Sequence, residues 1–344
     1  MASRWQPGGQ EGVALLLALV TVSFLVAVTV QLLADVDRQM EDAAVMTSMV
    51  RQESLMLSGL SLAQAALYGD QLENKVDSGH DSWATLGKEG IEVLSDREAL
   101  LIRVEDLSGR LAINALQLKK KKELSKADQE QLEARQQALH QLWLRFLAQE
   151  RFGLEGSEAA REVLDGILDW LDQDDDTREY GAEKGYYQGL EPGYESRNGP
   201  VLYREELLLV KGVTPKLFFG DGQHEGIGSY LTAGSDEDGT INLNTAPGPI
   251  LQALHPELSE EMVQAMISYR QEIDHREALA EPTWYQQVSD LPGDIVLDKT
   301  LLSVVGRRFQ VTVTAGEQQG RRTGVGEVSR AENGAQQILH WKVQ

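Results

Sequence analysis

The stretch LDWLDQDDDTREYGAEKGYY carries the strongest chemical signal in the chain. Counted from Asp172 as position one, carboxylates fall at position three (Asp174), five (Asp176) and twelve (Glu183). This is the spacing with which an EF-hand loop turns alternate side chains inward and closes on a two-oxygen glutamate. Position six, a glycine where such a loop turns sharply, is Thr177, and the glycine comes late, at Gly181. The residues after Glu183 do not read as a clean second EF helix. The expectation is therefore a calcium-binding loop with EF-like ligand spacing. Four carboxylates between Asp172 and Asp176 repel one another and a cation relieves them; the plain alternative is a solvated acidic turn capping a helix. Mg2+ suits a flexible, carboxylate-rich loop less well than the larger Ca2+. A weaker pair, Asp236 and Asp238, stands before Gly239 in GSDEDGTINLN. It reads either as a turn before a strand or as a second calcium site.

Other chemistry finds little support. The histidines His80, His140, His224, His255, His275 and His340 are scattered, with no two at zinc-ligand spacing on a helix. No Gly-x-Ser-x-Gly and no phosphate-binding loop occurs. The 344 residues include no cysteine, which excludes disulfides and thiolate metal sites. A formal net charge of −22 repels a phosphate backbone. The segment from TAPGPILQAL to EEMVQAMISYRQE looks like a helix-hairpin-helix unit, a fold often used on DNA. Its hairpin, however, is His-Pro-Glu-Leu, without glycine, and Glu260 and Glu261 follow. The expectation is no nucleic-acid binding, and a scaffold or protein-partner surface instead.

The elements that must hold these residues follow from periodicity. Apolar positions Leu132, Leu139, Leu142, Trp143, Phe146 and Leu147 make a helical stripe started by Ser125 and Asp128. The lysines 119–122 before it read as a solvated face. A second helix is expected from Ser157 to Leu171, leading into the acidic loop, and a third over Tyr203 to Val210, stopping at Gly212. TINLN reads as a strand, with Asn242 and Asn244 on one face and a structural role. After it, Thr245 and Ser259 are natural N-caps, and Pro247 suits a first turn. Leu100, Ile102 and Val104, the DLSG turn, then Leu111 and Ile113 read as a hairpin. Phe309, Val311 and Val313, then Val325 to Val328, then Ile338 and Trp341 alternate as closing strands.

The N-terminus poses a separate question. Gly12 to Ala34 contains no charged residue, and 23 such residues at ~1.5 Å each reach across a bilayer core of roughly 30 Å. Arg4 and Glu11 in the leader, and a poor Ala34-Asp35 cleavage site, argue against an ordinary secretory signal. Apolar residues continue at helical spacing through Val45, Met49, Leu60, Ala63 and Leu67, so one helix is expected over about residues 13–68.

A polar leader ending in glycine before such a helix resembles the type IV pilin and pseudopilin family. The resemblance implies cleavage by a prepilin peptidase between Gly12 and Val13, with methylation of the new N-terminus. Most members carry a glutamate at mature position five; here that position is Leu17, as is typical of K-type minor pseudopilins of type II secretion. Asp169-Trp170, Asp172, Asp174, Gly181-Ala182-Glu183 and Tyr186-Tyr187 resemble the K-type signature, as does INLNTAP. The resemblance implies an α+β fold: a long N-terminal helix packed on a small antiparallel sheet, with a large all-α insertion containing helix-hairpin-helix-like units. It divides the chain into a cleaved leader (1–12), a transmembrane part (13–34), helix and first strands (35–115), insertion (116–300) and closing strands (301–344).

The same resemblance implies that the ion is Ca2+ without fixing its ligands; the candidates remain those of the spacing, Asp172, Asp174, Asp176, Glu183, Asp236 and Asp238. The implied role is a non-enzymatic subunit at the pseudopilus tip, initiating assembly for export across the outer membrane. Implied partners are the I-type and J-type minor pseudopilins, other pseudopilins and the inner-membrane secretion platform. The body would stand in the periplasm on a single inner-membrane span. A membrane-anchored, calcium-binding enzyme of the cell envelope is the competing expectation.

Overall fold

The computed structural model describes residues 10–89, 99–117, 125–233, 238–316, 320–331 and 333–344. The lysines 119–122 and Asp236 lie outside them. Helix α1 runs Gln10–Glu73 without interruption. The chain divides into two units, residues 1–58 and 59–344.

In the first unit, apolar side chains from Val13 to Val36 are exposed all round the helix. Such a surface has no partner in water and is matched by lipid. The hydroxyls of Thr21 and Thr29 donate to the carbonyls of Leu17 and Leu25, at 2.6 and 2.8 Å. These two hydroxyls are thereby satisfied within the helix, as a hydrocarbon medium requires. Arg38 and Asp35 pair at 2.9 Å where charges resume.

In the second unit the end of α1 buries Leu60, Ala63, Leu67 and Asp70, one helical stripe. The stripe packs on a four-stranded antiparallel sheet, order β1-β6-β7-β8. A Cβ on Gly59 would sit 2.5 Å from Val313 Cγ1, so glycine permits the close helix–sheet approach. The other elements, in chain order, are α2 (Ser82–Glu89), β1 (Ala99–Asp106), β2 (Leu111–Ala112), α3 (Lys126–Leu147), α4 (Gly156–Leu171), α5 (Lys184–Gln188), α6 (Pro215–Phe219), β3 (Leu231–Thr232), β4 (Ile241–Asn242), α7 (Gly248–Ala253), α8 (Glu260–Gln271), β5 (Leu302–Ser303), β6 (Arg308–Gly316), β7 (Arg322–Arg330) and β8 (Gln336–Val343). In β1 and β6, Ile102 opposes Val313 and Val104 opposes Val311, all buried on the α1 face. Trp341 of β8 lies over Gly324 and Gly326 of β7, where any Cβ would collide with its ring.

The expected hairpin does not form. β1 pairs with β6, and β2 pairs in parallel with β3. Leu111 and Ile113 instead join the apolar core of the insertion, with Leu139, Trp143, Phe146, Ile167 and Ile241. Burial against that core outweighs local pairing across the turn. The helix expected over Tyr203 to Val210 is present as a 3-10 helix, Arg204–Leu209. The N-cap of α7 is Pro247, without a side-chain cap, and Thr245 donates to the Asp106 carboxylate instead. Ser125 and Ser259 do cap α3 and α8, accepting from Asp128 N and Met262 N. Among the described residues, the insertion combines helices and irregular segments with the two-residue parallel pairs β2/β3 and β4/β5.

Insertion and sheet are joined by a buried polar knot. Asp77 accepts from Gly306 N and from Arg330, which also contacts Asp70, the Leu67 carbonyl and the face of Phe309. Asn242 and Asn244 both donate to the Asp77 carbonyl, at 3.1 and 3.3 Å. The structural role expected of the two asparagines is what they perform.

Candidate metal centre

α4 delivers the first two carboxylates. Its inner face is apolar, and Asp169 and Asp172 lie on that face one turn apart, so both are carried into the protein. Trp170 fixes the helix end by packing edge-on against Tyr187 and donating Nε1 to Glu206. Asp172 is the C-cap, in extended conformation, and sends the chain into the acidic loop. Gly181 brings it back: a Cβ there would lie 1.9 Å from Asp169 Oδ2. Lys211 Nζ holds the carbonyls of Tyr180 and Gly181, and Asp165 accepts from Tyr180 N. Glu183 then stands at the N-cap of α5 without capping it.

Asp169, Asp172 and Glu183 each offer an oxygen, and these oxygens lie within 4.8 Å of one another. The three residues are 0%, 9% and 5% exposed. Both Glu183 oxygens and Asp172 Oδ1 are buried without a hydrogen-bond partner. Orphaned buried carboxylate oxygens are costly, so the arrangement is incomplete without a further positive group. Burial, and then the charges of Asp169 and Asp172, push the Glu183 carboxyl up to about 7. Asp172 is raised by burial against the opposing pull of Arg178. Arg178 Nη1 sits between Asp169 Oδ1 and Asp172 Oδ2, 2.5 Å from each. Oxygens separated by up to twice ~2.4 Å match the reach of a hard cation of calcium size. The donor set, all carboxylate and partly orphaned, fits that ion.

The sequence candidates separate here. Asp172 and Glu183 come together, and Asp169 joins them as a third carboxylate that loop spacing does not reveal. Its signal is its position one helical turn before Asp172, on the buried side of Trp170. Asp174 and Asp176 are exposed and outside the group; Asp174 Oδ1 accepts from Asp176 N, and Asn198 donates to the Asp174 carbonyl. Asp236 lies outside the described residues. The Asp238 carboxylate receives Thr240 N and Oγ1 and pairs with Arg307 at 2.8 Å. Gly12 and Val13 lie within α1, and Leu17 is an exposed apolar residue of the same helix. A second carboxylate group, Asp70, Asp77 and Asp81, escaped the sequence reading. Arg330 and Arg276 already occupy it.

A helix apolar enough to cross a membrane, continued onto an antiparallel sheet that a helical insertion interrupts, defines a membrane-anchored, pilin-like protein. Two family models described as type II secretion system protein K match residues 109–219 and 241–304. The chain belongs to the protein K family of the type II secretion system, a family of minor pseudopilins. It is 28% identical to the type II secretion system protein K of Pseudomonas aeruginosa over 270 residues, covering 75% of this chain and 72% of the relative. The Aeromonas hydrophila protein K is 27% identical over 239 residues, covering 69% of this chain and 67% of that one. In solved structures, the fold is similar to a chain of the GspK-GspI-GspJ complex from the type 2 secretion system of enterotoxigenic Escherichia coli. That likeness has a TM-score of 0.64 at 15% identity, and covers 88% of this chain and 99% of the other.

Proposed function

We propose that this minor pseudopilin stands at the tip of the pseudopilus and starts its assembly together with the I-type and J-type minor pseudopilins. The family match carries the reading, and one physical argument supports the tip position. Some 200 residues inserted between β1 and β6 would crowd the repeated lateral contacts of a filament interior, whereas an end has room. Leu17 agrees: a carboxylate at that depth in lipid costs roughly 2.5 kcal/mol or more unless paired, and a subunit with no neighbour above it has none to pair. The role is structural, with no substrate turned over. Cleavage between Gly12 and Val13 would free the helix to pack beside sibling helices in the inner membrane, with the body in the periplasm.

Asp169, Asp172 and Glu183 would hold a calcium ion, with Asp174 and Asp176 on the adjoining loop. When bound, the ion supplies positive charge to buried oxygens that otherwise have no partner. The protein's own groups, Lys211, Asp165 and Gly181, shape the loop that brings Glu183 to it.

Co-expression of the full-length chain with its I- and J-type siblings and a prepilin peptidase tests the reading. The expected result is a co-purifying ternary complex whose K subunit has lost residues 1–12 by mass. A solitary chain with an intact N-terminus would overturn it. Calcium titration of the purified chain counts sites: one equivalent leaves Asp236 and Asp238 as a turn, two assigns them a second ion.

A further inference from the structure

We infer that Arg178 is a tethered competitor for the cation, and that it sets the affinity of the site by occupying Asp169 and Asp172 when no ion is bound. The inference rests on the calcium reading above and concerns how that site is tuned.

The geometry carries it. One guanidinium nitrogen, Nη1, bridges Asp169 Oδ1 and Asp172 Oδ2, while the Arg178 backbone N–H donates to Asp169 Oδ2 at 3.2 Å. Three of the four oxygens of the two helix-borne carboxylates are thus engaged by Arg178 alone. The remaining one, Asp172 Oδ1, is orphaned with both oxygens of Glu183. The guanidinium therefore satisfies one end of the site and leaves the other end empty-handed. With all three carboxylates ionised, one arginine leaves a net charge of −2 in a buried place, whereas a divalent ion leaves −1. A cation reaching Glu183 and Asp172 must also approach Asp169, and two positive centres cannot share these oxygens at contact distance.

Arg178 is built to leave. Its side chain is 33% exposed, and it follows a run of exposed residues, 173–177. Its long arm swings into water without uncovering the core, whereas Asp169, Asp172 and Glu183 stay fixed by α4, Gly181 and α5. Without the ion, it prevents the carboxylates from driving the loop apart. With the ion, it is released. Arg178 thus trades calcium affinity for stability of the ion-free fold. A residue that merely walled the site would change both in the same direction.

The experiment uses the full chain in detergent, stripped with chelator, with calorimetric CaCl2 titration and thermal unfolding with and without calcium. Arg178→Gln is expected to bind calcium at least about fivefold more tightly than wild type and to unfold at a lower temperature without calcium. Arg161→Gln, which removes an exposed charge nearby without a contact to the site, is expected to leave affinity within about twofold. Arg178→Lys, which keeps the charge but loses the planar fork, is expected to fall between and serves if the glutamine variant does not fold. Wild type binding calcium with Arg178→Gln and Arg178→Lys unchanged or weaker would overturn the inference and leave the calcium site standing. No binding by wild type or by any variant would overturn both.

Discussion

Asn242 Nδ2 lies 2.7 Å from Asp106 Oδ2, joining residues 136 positions apart at the end of β1 and in β4. The same amide donates to the Asp77 carbonyl, so one side chain ties the first strand of the sheet, the segment after α1 and the insertion. Asp106 has Thr245 Oγ1 and Ser108 N as its other donors, and burial raises its carboxyl above the usual range.

Replacing Asn242 tests that junction. Asn242→Ala removes a donor from a buried carboxylate and from a buried carbonyl, and is expected to cost about 1–3 kcal/mol. Asn242→Asp sets a second negative charge against Asp106 and costs more. Chemical denaturation of the full chain in detergent checks the order wild type, alanine, aspartate. An alanine variant as stable as wild type would contradict the knot.

The buried acids around Arg330 predict a pH dependence. Burial and the charges of Asp81 and Asp77 push Asp70 up to about 7, and burial pushes Asp77 up to about 6 against the pull of Arg330. Between the ordinary carboxylate range and those values the folded state holds protons that the unfolded state has lost. Stability from these groups is therefore greatest near pH 4, declines as pH rises through about 6 to 7, and is flat beyond. Asp70→Asn is expected to flatten that decline and to raise the melting temperature at pH 8. Melting curves across the range measure it, and an unchanged slope would refute the assignment.

The close passage of Gly181 over Asp169 makes a steric prediction. Gly181→Ala forces its methyl into Asp169 Oδ2, and either the loop or the carboxylate moves. The expected outcome is about 1–3 kcal/mol of lost stability and a weakened response to calcium. Gly185→Ala, with open space around its added methyl, is the control that leaves the calcium response unchanged.

Removing the ligands themselves separates two views of the acidic loop. Asp172→Asn with Glu183→Gln is expected to lower calcium affinity at least about tenfold, because charge count sets affinity in such sites. Asp174→Asn with Asp176→Asn, both exposed, is expected to have the smaller effect. Calorimetry of the two double variants reads the difference, and the reverse order would move the ion outward onto the loop.

Much of this is legible in the amino-acid sequence itself. The long helix, the closing strands and the caps at Ser125 and Ser259 follow from local rules of periodicity and capping, and they hold. What failed depended on distance. Leu111 and Ile113 alternate like a hairpin strand, but the core that claims them is built from Leu139 onward. Thr245 looks like a cap until Asp106 arrives to accept its hydroxyl. At the acidic loop, linear spacing brought out Asp172 and Glu183 but passed over Asp169, because a helix places partners by its turn rather than by alternation. Asp70 was hidden for the same reason, as the fourth member of an otherwise apolar stripe.

The pairing of β1 with β6 puts the two halves of one sheet on opposite sides of the insertion. A chain synthesised from its N-terminus has the Ala99–Asp106 strand long before its complement, Arg308–Gly316, is made. The sheet against which α1 buries Leu60, Ala63 and Leu67 can therefore close only after every residue of the insertion has been made.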